Sequence, residues 1–358
     1  MKNSLTANEY YKRQVEYTKL AFEKQDLMPR RYVLVLTNMC NLSCTFCFQE
    51  RKKRADRMTT EHWMNLLDQI PKNSRITLTG GDPFMFKDFD KIFMKANQIA
   101  ETNMITNGLL INDQKIESLL EQKNFKVLAI SIDTIGNTNR DVKPKDWDKL
   151  LVQLNKFIKL RDKKNLETAL DIKTVILDEN IDDLFEIHRF ATKTLKADTH
   201  SFMLLKGAEI QHSDLMFNFE QIDKETEAYQ YKKFDKLVDQ LNKIKEYDYK
   251  YGYKSFLHPN ILDFKKKEKF QKEELLYLNN KKHESQNYAP CYAPWGCVYI
   301  NVDGNLFPCM AVSMGNVKTT KLKEIIFSET FKKFKNIIRS KGTINGCNRC
   351  GYLKPKYI

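Results

Sequence analysis

The stretch Tyr32-Val-Leu-Val-Leu-Thr-Asn-Met-Cys-Asn-Leu-Ser-Cys-Thr-Phe-Cys47 decides how this chain is read. Residues 32–36 form a short apolar run that reads as a β-strand. Three cysteines follow it, Cys40, Cys44 and Cys47, in the spacing C-x-x-x-C-x-x-C. Four cysteines close an iron-sulfur cube and make it an electron carrier. Three can hold three irons and leave the fourth open, so this loop points to a cluster that must bind something else. A three-thiolate zinc site and three buried thiols are the competing readings.

Composition narrows the class. The chain has 358 residues, of which 42% are hydrophobic and 11% aromatic, enough for one large α/β unit plus an appendage. Its apolar runs are far short of a membrane span, and no basic segment followed by an apolar stretch marks a secretion signal. The eight cysteines fall in C-x-x-x-C-x-x-C and C-x-x-C patterns, which read as metal ligands rather than disulfides. Thiolate-bound iron needs a reducing compartment, so a cytoplasmic location is expected. Lys and Arg number 60 against 46 Asp and Glu, a net charge of +14. The basic residues are interleaved with acidic ones, as in residues 263–274, which is the pattern of a solvated helical face. No base-reading motif accompanies them, so nucleic acid is not the expected partner, whereas an anionic substrate is compatible with the charge.

Working outward from the cysteine loop, strand-like and helix-like segments alternate. Strands are expected over 32–36, 75–79, 103–106, 126–132, 168–177 and 199–205. Helices are expected over 59–70, with Thr59 or Thr60 near the N-cap, and over 87–98, 111–122, 145–159 and 181–194. This β-α-β-α order predicts a parallel sheet with helices outside, a partial (β/α)6 TIM-like barrel open on one side, over residues 31–206. Residues 1–30 are expected to carry a helix lying on the barrel. Residues 207–288 read as a bridging, mainly helical segment, with 221–243 strongly helical. Residues 289–358 form a cysteine-rich tail with a hairpin-like centre, in which Asp303-Gly304 is the turn signal.

Three short motifs sit at the C-terminal ends of consecutive strands, where a parallel barrel presents its functional groups. They are Thr79-Gly-Gly-Asp-Pro-Phe84, Ile105-Thr-Asn-Gly108 and Ser131-Ile-Asp133. With the cysteine loop and Phe46 before its last thiol, the set resembles the radical S-adenosylmethionine (SAM) superfamily. That resemblance implies that Cys40, Cys44 and Cys47 hold a [4Fe-4S] cluster whose open iron binds SAM. Reduction of that cluster would split SAM to methionine and a 5′-deoxyadenosyl radical, which takes a hydrogen from an unactivated carbon. It further implies that Gly80, Gly81 and Asp82 meet the SAM amino group, with Asp in place of the family's Glu. Thr106, Asn107, Ser131 and Asp133 would meet the ribose hydroxyls and carboxylate, and Lys173 would face the carboxylate from the next strand.

The tail adds Cys291, Cys297, Cys309, Cys347 and Cys350. Twelve residues separate Cys291 from Gly304 and four more separate Gly304 from Cys309. This resembles the SPASM or twitch extensions of radical SAM enzymes, in the shorter twitch form of a β-hairpin plus helix. The resemblance implies one auxiliary [4Fe-4S] cluster on Cys291, Cys309, Cys347 and Cys350, with zinc on the same thiolates as the rival. Cys297 is left over, either as a buried thiol, as a cluster ligand, or as a hydrogen-atom donor to a substrate radical. A small polar substrate (a sugar, cyclitol or nucleotide-linked sugar) is the expected one, undergoing oxidation, epimerisation or dehydration with an external one-electron donor such as flavodoxin or ferredoxin. Peptide or protein side-chain modification is the alternative. It is disfavoured here because only about thirty residues precede the first strand, too few for a separate peptide-binding module. A non-catalytic zinc-binding nucleic-acid adaptor is a third.

Overall fold

The computed structural model describes residues 4–49, 56–205, 210–211, 215–225, 227–258 and 268–356, with side chains from residue 12 onward except that of residue 274. Helix α1 (Ser4–Lys24) leads to β1 (Arg31–Val35). Then α2 (Thr60–Leu67), β2 (Arg75–Thr79), α3 (Phe89–Ile99), β3 (Glu101–Thr106), α4 (Asp113–Leu120), β4 (Phe125–Ser131), α5 (Pro144–Lys163), β5 (Ala169–Ile176), α6 (Leu184–Arg189) and β6 (Thr199–Leu204) alternate. Strands β1 to β6 pair in parallel, each with the next, so the partial barrel stands as the alternation implies. Thr59 caps α2: its side chain accepts from His62 N, and the His62 side chain closes a capping box.

Further elements follow: α7 (Phe234–Tyr251), β7 (Ser255–His258), α8 (Lys272–Leu275), α9 (Ala293–Gly296), β8 (Cys297–Ile300), β9 (Asn305–Phe307), β10 (Gly315–Asn316), α10 (Leu322–Ile326) and α11 (Glu329–Lys341). Among the described residues the strands share one ten-stranded sheet in the order β10-β9-β8-β1-β2-β3-β4-β5-β6-β7. Two strands join the expected six at the edges of their sheet. The stretch expected to be mainly helical supplies β7, parallel to β6. The tail supplies β8, which pairs in parallel with β1 and places Cys297 opposite Arg31. Its hairpin therefore extends the barrel sheet. Gly304 makes the turn at φ 87°, a conformation that glycine adopts without steric cost.

Helix α1 packs on α9 at the start of the tail and in the same core cluster as Tyr32 and Leu34 of β1, with Tyr17 near Tyr32. Gln14 Nε2 donates to Gly296 O at 3.0 Å, Trp295 Nε1 donates to Gln25 Oε1 at 2.9 Å, and the Phe22 ring lies 4.8 Å from that of Trp295. The aromatic run around Trp295 gives the helix its apolar partner.

The two faces of the sheet differ, and this difference positions the site. Outward residues such as Tyr32, Leu34, Ile76, Leu78, Leu128, Ile130, Leu170 and Ile172 are 0% exposed, packed with Trp63, Phe93 and Phe157 from the helices. The alternate positions Thr79, Ile105, Val127, Ser131, Lys173, Val175, Met203, His258 and Tyr299 are half-buried. A packed barrel interior closes both faces. Here the inner face is only partly closed: Val33, Thr77, Ala129, Asp171 and Ser201 on it are buried, and the half-buried positions lie between them.

Candidate active site

The three-cysteine loop is held where β1 runs past the end of β2. Leu36 N donates to Thr79 O at 2.9 Å, Gly81 N to Thr37 O at 2.7 Å, and Asp82 N to Met39 O at 2.9 Å. This backbone zipper ends immediately before Cys40. Cβ atoms at Gly80 and Gly81 would strike backbone atoms of Thr37 and Met39. The glycines are thus required for backbone-on-backbone packing that anchors the loop.

Within the loop, Cys47 N donates to Cys44 O at 3.2 Å and Leu42 N to Cys40 Sγ at 3.4 Å. Cys40, Cys44 and Cys47 are all partly exposed. Burial pushes the Cys40 thiol up, and Asp82, Cys44 and Cys47 add to the rise. A cationic centre would relieve that repulsion. Among the described residues no three Cys, His, Asp or Glu side chains converge closely enough to hold one metal ion. The fit of an iron-sulfur cube rests instead on the donor set: three neighbouring sulfurs on one loop, each of which would meet a different iron.

Both carboxylates expected to meet the ligand are buried and hydrogen-bonded within the protein. Asp82 is 0% exposed: its Oδ2 accepts from Thr106 Oγ1 at 2.6 Å and Asn107 N at 3.0 Å, and its Oδ1 from Phe84 N at 3.1 Å. Burial pushes its carboxyl up against the pull of those bonds. Those bonds tie the end of β2 to the end of β3. Thr106 is buried with Asp82, and its hydroxyl also accepts from Gly108 N at 3.0 Å. Asn107 faces the loop: its Nδ2 donates to Asn41 Oδ1 at 2.8 Å and lies 3.6 Å from Cys40 Sγ.

Asp133, also 0% exposed, accepts from Val175 N at 2.7 Å and from Arg140 Nε at 2.6 Å. Arg140 is the residue the sequence reading missed. Its Nη1 lies 3.7 Å from Cys44 Sγ and its guanidinium sits 5.1 Å from the centre of the Phe46 ring. Burial works against its charge, and Asp133 together with Cys44 and Cys47 more than offsets that, holding the guanidinium above its ordinary value. Ser131 remains half-buried on the inner face, in register with Lys173. The Lys173 ammonium pairs with Asp171 Oδ2 at 2.9 Å, and Asp171 also accepts from Thr199 and Ser201.

The tail thiols separate into two groups. Cys309, Cys347, Cys291 and Cys350 act on one another electrostatically, and burial with this mutual repulsion pushes Cys291 up to about 12. Backbone bonds from Cys291 N to Gly342 O and from Cys350 N to Cys347 O, both 3.0 Å, fix their segments. Cys297 stands apart. Its Sγ accepts from Tyr352 Oη at 3.2 Å, and its other neighbours are Arg31, Arg75 and Tyr299.

Strand direction places the two sets at opposite ends of the sheet. Cys40 to Cys47 follow the C-terminal end of β1. Cys291 precedes β8, which runs parallel to β1, and Cys309 follows β9, which returns antiparallel. The half-buried inner positions Ser131, Lys173 and Val175 lie on the strands between them.

Known proteins resemble this arrangement. A profile of the radical SAM superfamily matches residues 34–191, and one of the SPASM iron-sulfur cluster-binding domain matches residues 291–351. The sporulation killing factor maturation protein SkfB of Bacillus subtilis is 34% identical over 116 residues, covering 31% of this chain and 28% of that protein. The S-adenosylmethionine-dependent nucleotide dehydratase of Selenomonas ruminantium is 28% identical over 162 residues, 42% of this chain and 57% of that protein. These matches span well under two thirds of either relative. The crystal structure of Streptococcus suis SuiB bound to its precursor peptide SuiA superposes with a TM-score of 0.62 at 17% identity, over 91% of this chain and 71% of that one. No helix among the described residues is long and apolar enough to cross a membrane.

Proposed function

This chain belongs to the radical SAM superfamily and carries a SPASM iron-sulfur cluster-binding domain, and from that premise we propose that it modifies a side chain of a peptide or protein. Its cofactors are SAM, the [4Fe-4S] cluster that binds it, and auxiliary iron-sulfur in the tail. Bound together, they supply a 5′-deoxyadenosyl radical able to abstract hydrogen from an unactivated carbon. We assign the SAM-binding cluster to Cys40, Cys44 and Cys47. One auxiliary cluster goes to Cys291, Cys309, Cys347 and Cys350, the four thiols that neighbour one another. An external one-electron donor of the flavodoxin or ferredoxin class completes the system.

The observation that carries the peptide reading is the identity with SkfB, a maturation protein, which at 34% exceeds that with the nucleotide dehydratase. The sugar, cyclitol and nucleotide-linked sugar substrates expected from the sequence find no support in these relatives and are set aside. Within the chain, the partly closed inner face between the two thiol sets offers the substrate a place. Asp82 and Asp133 keep the strand ends and the cysteine loop in register around it.

The test is 5′-deoxyadenosine release by reconstituted, reduced protein with SAM and a pool of synthetic peptides, beside matched pools of nucleotides and sugars. Peptides should raise release above the substrate-free rate and emerge with altered mass. Stimulation by nucleotides or sugars with none by peptides would refute the reading.

A further inference from the structure

We propose that Arg140 is a positioning residue that sets the reduction potential of the cluster held by Cys40, Cys44 and Cys47, an inference that rests on those three thiols being its ligands. The geometry is built rather than incidental. Arg140 leaves the loop after β4, and its Nε is fixed by Asp133 Oδ2 at 2.6 Å. Asp133 is itself fixed at three other atoms. Its Oδ1 accepts from Val175 N at 2.7 Å, its N donates to Asn137 Oδ1 at 2.9 Å, and its carbonyl accepts from Asn180 Nδ2 at 2.8 Å. Asn137 is held by Ser131 O and adopts a left-handed conformation at φ 50°, which folds the loop back. The guanidinium is thereby presented to the cysteine loop, with Nη1 3.7 Å from Cys44 Sγ and the Phe46 ring 5.1 Å from its centre. Its side chain is 12% exposed, so water screens it little.

Arginine remains charged at any working pH, and cation–π contact with Phe46 keeps it in place. Net charge and hydrogen bonds to the sulfurs set iron-sulfur potentials. In the reduction concerned, one electron passes from an external donor of the ferredoxin class, which is oxidised by one electron. The cluster goes from the 2+ to the 1+ state, and no proton is needed. A fixed cation beside a ligand sulfur favours the more negative product and so raises the potential. Asp133, on the far side of the guanidinium, partly cancels it.

Opposite substitutions should therefore move the potential in opposite directions. In EPR-monitored redox titrations, the SAM-binding cluster is identified by the change that SAM makes to its spectrum. There, Arg140→Gln should lower the reduced-to-oxidised ratio at fixed solution potential about tenfold, equivalent to about 59 mV for one electron. Asp133→Asn should raise it, and Arg140→Lys should stay near the unsubstituted value. A residue that merely braces the loop would change iron content without this reversal of sign. Shifts in the same direction, no shift, or loss of this cluster from both Arg140→Gln and Asp133→Asn would overturn the proposal. If one of the two fails to load iron, the sign of the shift in the other decides. A triple alanine variant at Cys40, Cys44 and Cys47, titrated alongside, must lose the SAM-sensitive signal. If it keeps that signal, the ligand assignment fails, and the proposal with it.

Discussion

Replacing Gly81 by alanine would set a methyl carbon 2.5 Å from the Met39 carbonyl carbon, closer still to its oxygen, and 3.0 Å from the Asn38 carbonyl carbon. All three are backbone atoms, so no side chain can swing aside. Restoring ordinary contact at 3.4–4 Å requires the segments to part by about 1 Å. That separation strains the bonds from Gly81 N to Thr37 O and from Asp82 N to Met39 O, at 2.7 and 2.9 Å. Overpacking costs about 1–3 kcal/mol, and each weakened hydrogen bond about 1 kcal/mol. The sum of about 3–5 kcal/mol is a large share of the 5–15 kcal/mol that typically separates folded from unfolded. Because the strain falls one residue before Cys40, iron retention should drop along with stability. Urea unfolding and iron content of Gly81→Ala, measured beside the unsubstituted protein, check both. A variant that unfolds at the same urea concentration and keeps its full iron would refute the claim that these glycines serve backbone packing.

Three further outcomes are expected. Tyr231→Phe should cost about 1–3 kcal/mol in urea unfolding, because the buried hydroxyl donates to Ile176 O at 3.0 Å and accepts from Leu205 N at 2.7 Å, leaving that amide unsatisfied when lost. Thr59→Ala should cost about 1 kcal/mol by removing the α2 cap, read as a lower urea midpoint with unchanged slope. Burial holds His283 down at about 4, while an unfolded imidazole titrates near 6.5. The unfolded chain therefore binds the extra proton first as pH falls. Stability attributable to this group is full above pH 6.5 and declines between 6.5 and about 4, by up to about 3 kcal/mol. Comparison of unfolding at pH 7 and pH 5 should show a smaller loss in His283→Gln, and an identical loss would count against it.

What the sequence made legible follows from what is local in the structure. The runs at 32–36, 75–79 and 126–132 are apolar and alternate with amphipathic helices, so the parallel sheet could be read directly. Strand β7 could not. Ser255 to His258 is four residues long, carries histidine on its inner face, and pairs with β6 far back in the chain. The join of β8 to β1 spans most of the chain length and left no mark beyond a hairpin turn signal. Gly-Gly-Asp at 80–82 stands out in the sequence, but its packing against Thr37 and Met39 does not, because backbone proximity between β1 and β2 cannot be seen in sequence. Arg140 was missed because its meaning comes entirely from its partners. It lies in a loop among Asn and Thr, and only the fold brings it to Asp133, Cys44 and Phe46.

The central claim is that two separate thiol sets, at opposite ends of the sheet, each hold an iron-sulfur cluster. Iron, sulfide and zinc counts on anaerobically reconstituted protein, beside the Cys40, Cys44 and Cys47 triple alanine variant, test it most directly. The account predicts about eight irons per chain falling to about four in the variant, with matching sulfide and no zinc. Zinc in place of iron, or an iron count that the triple substitution leaves unchanged, would contradict it.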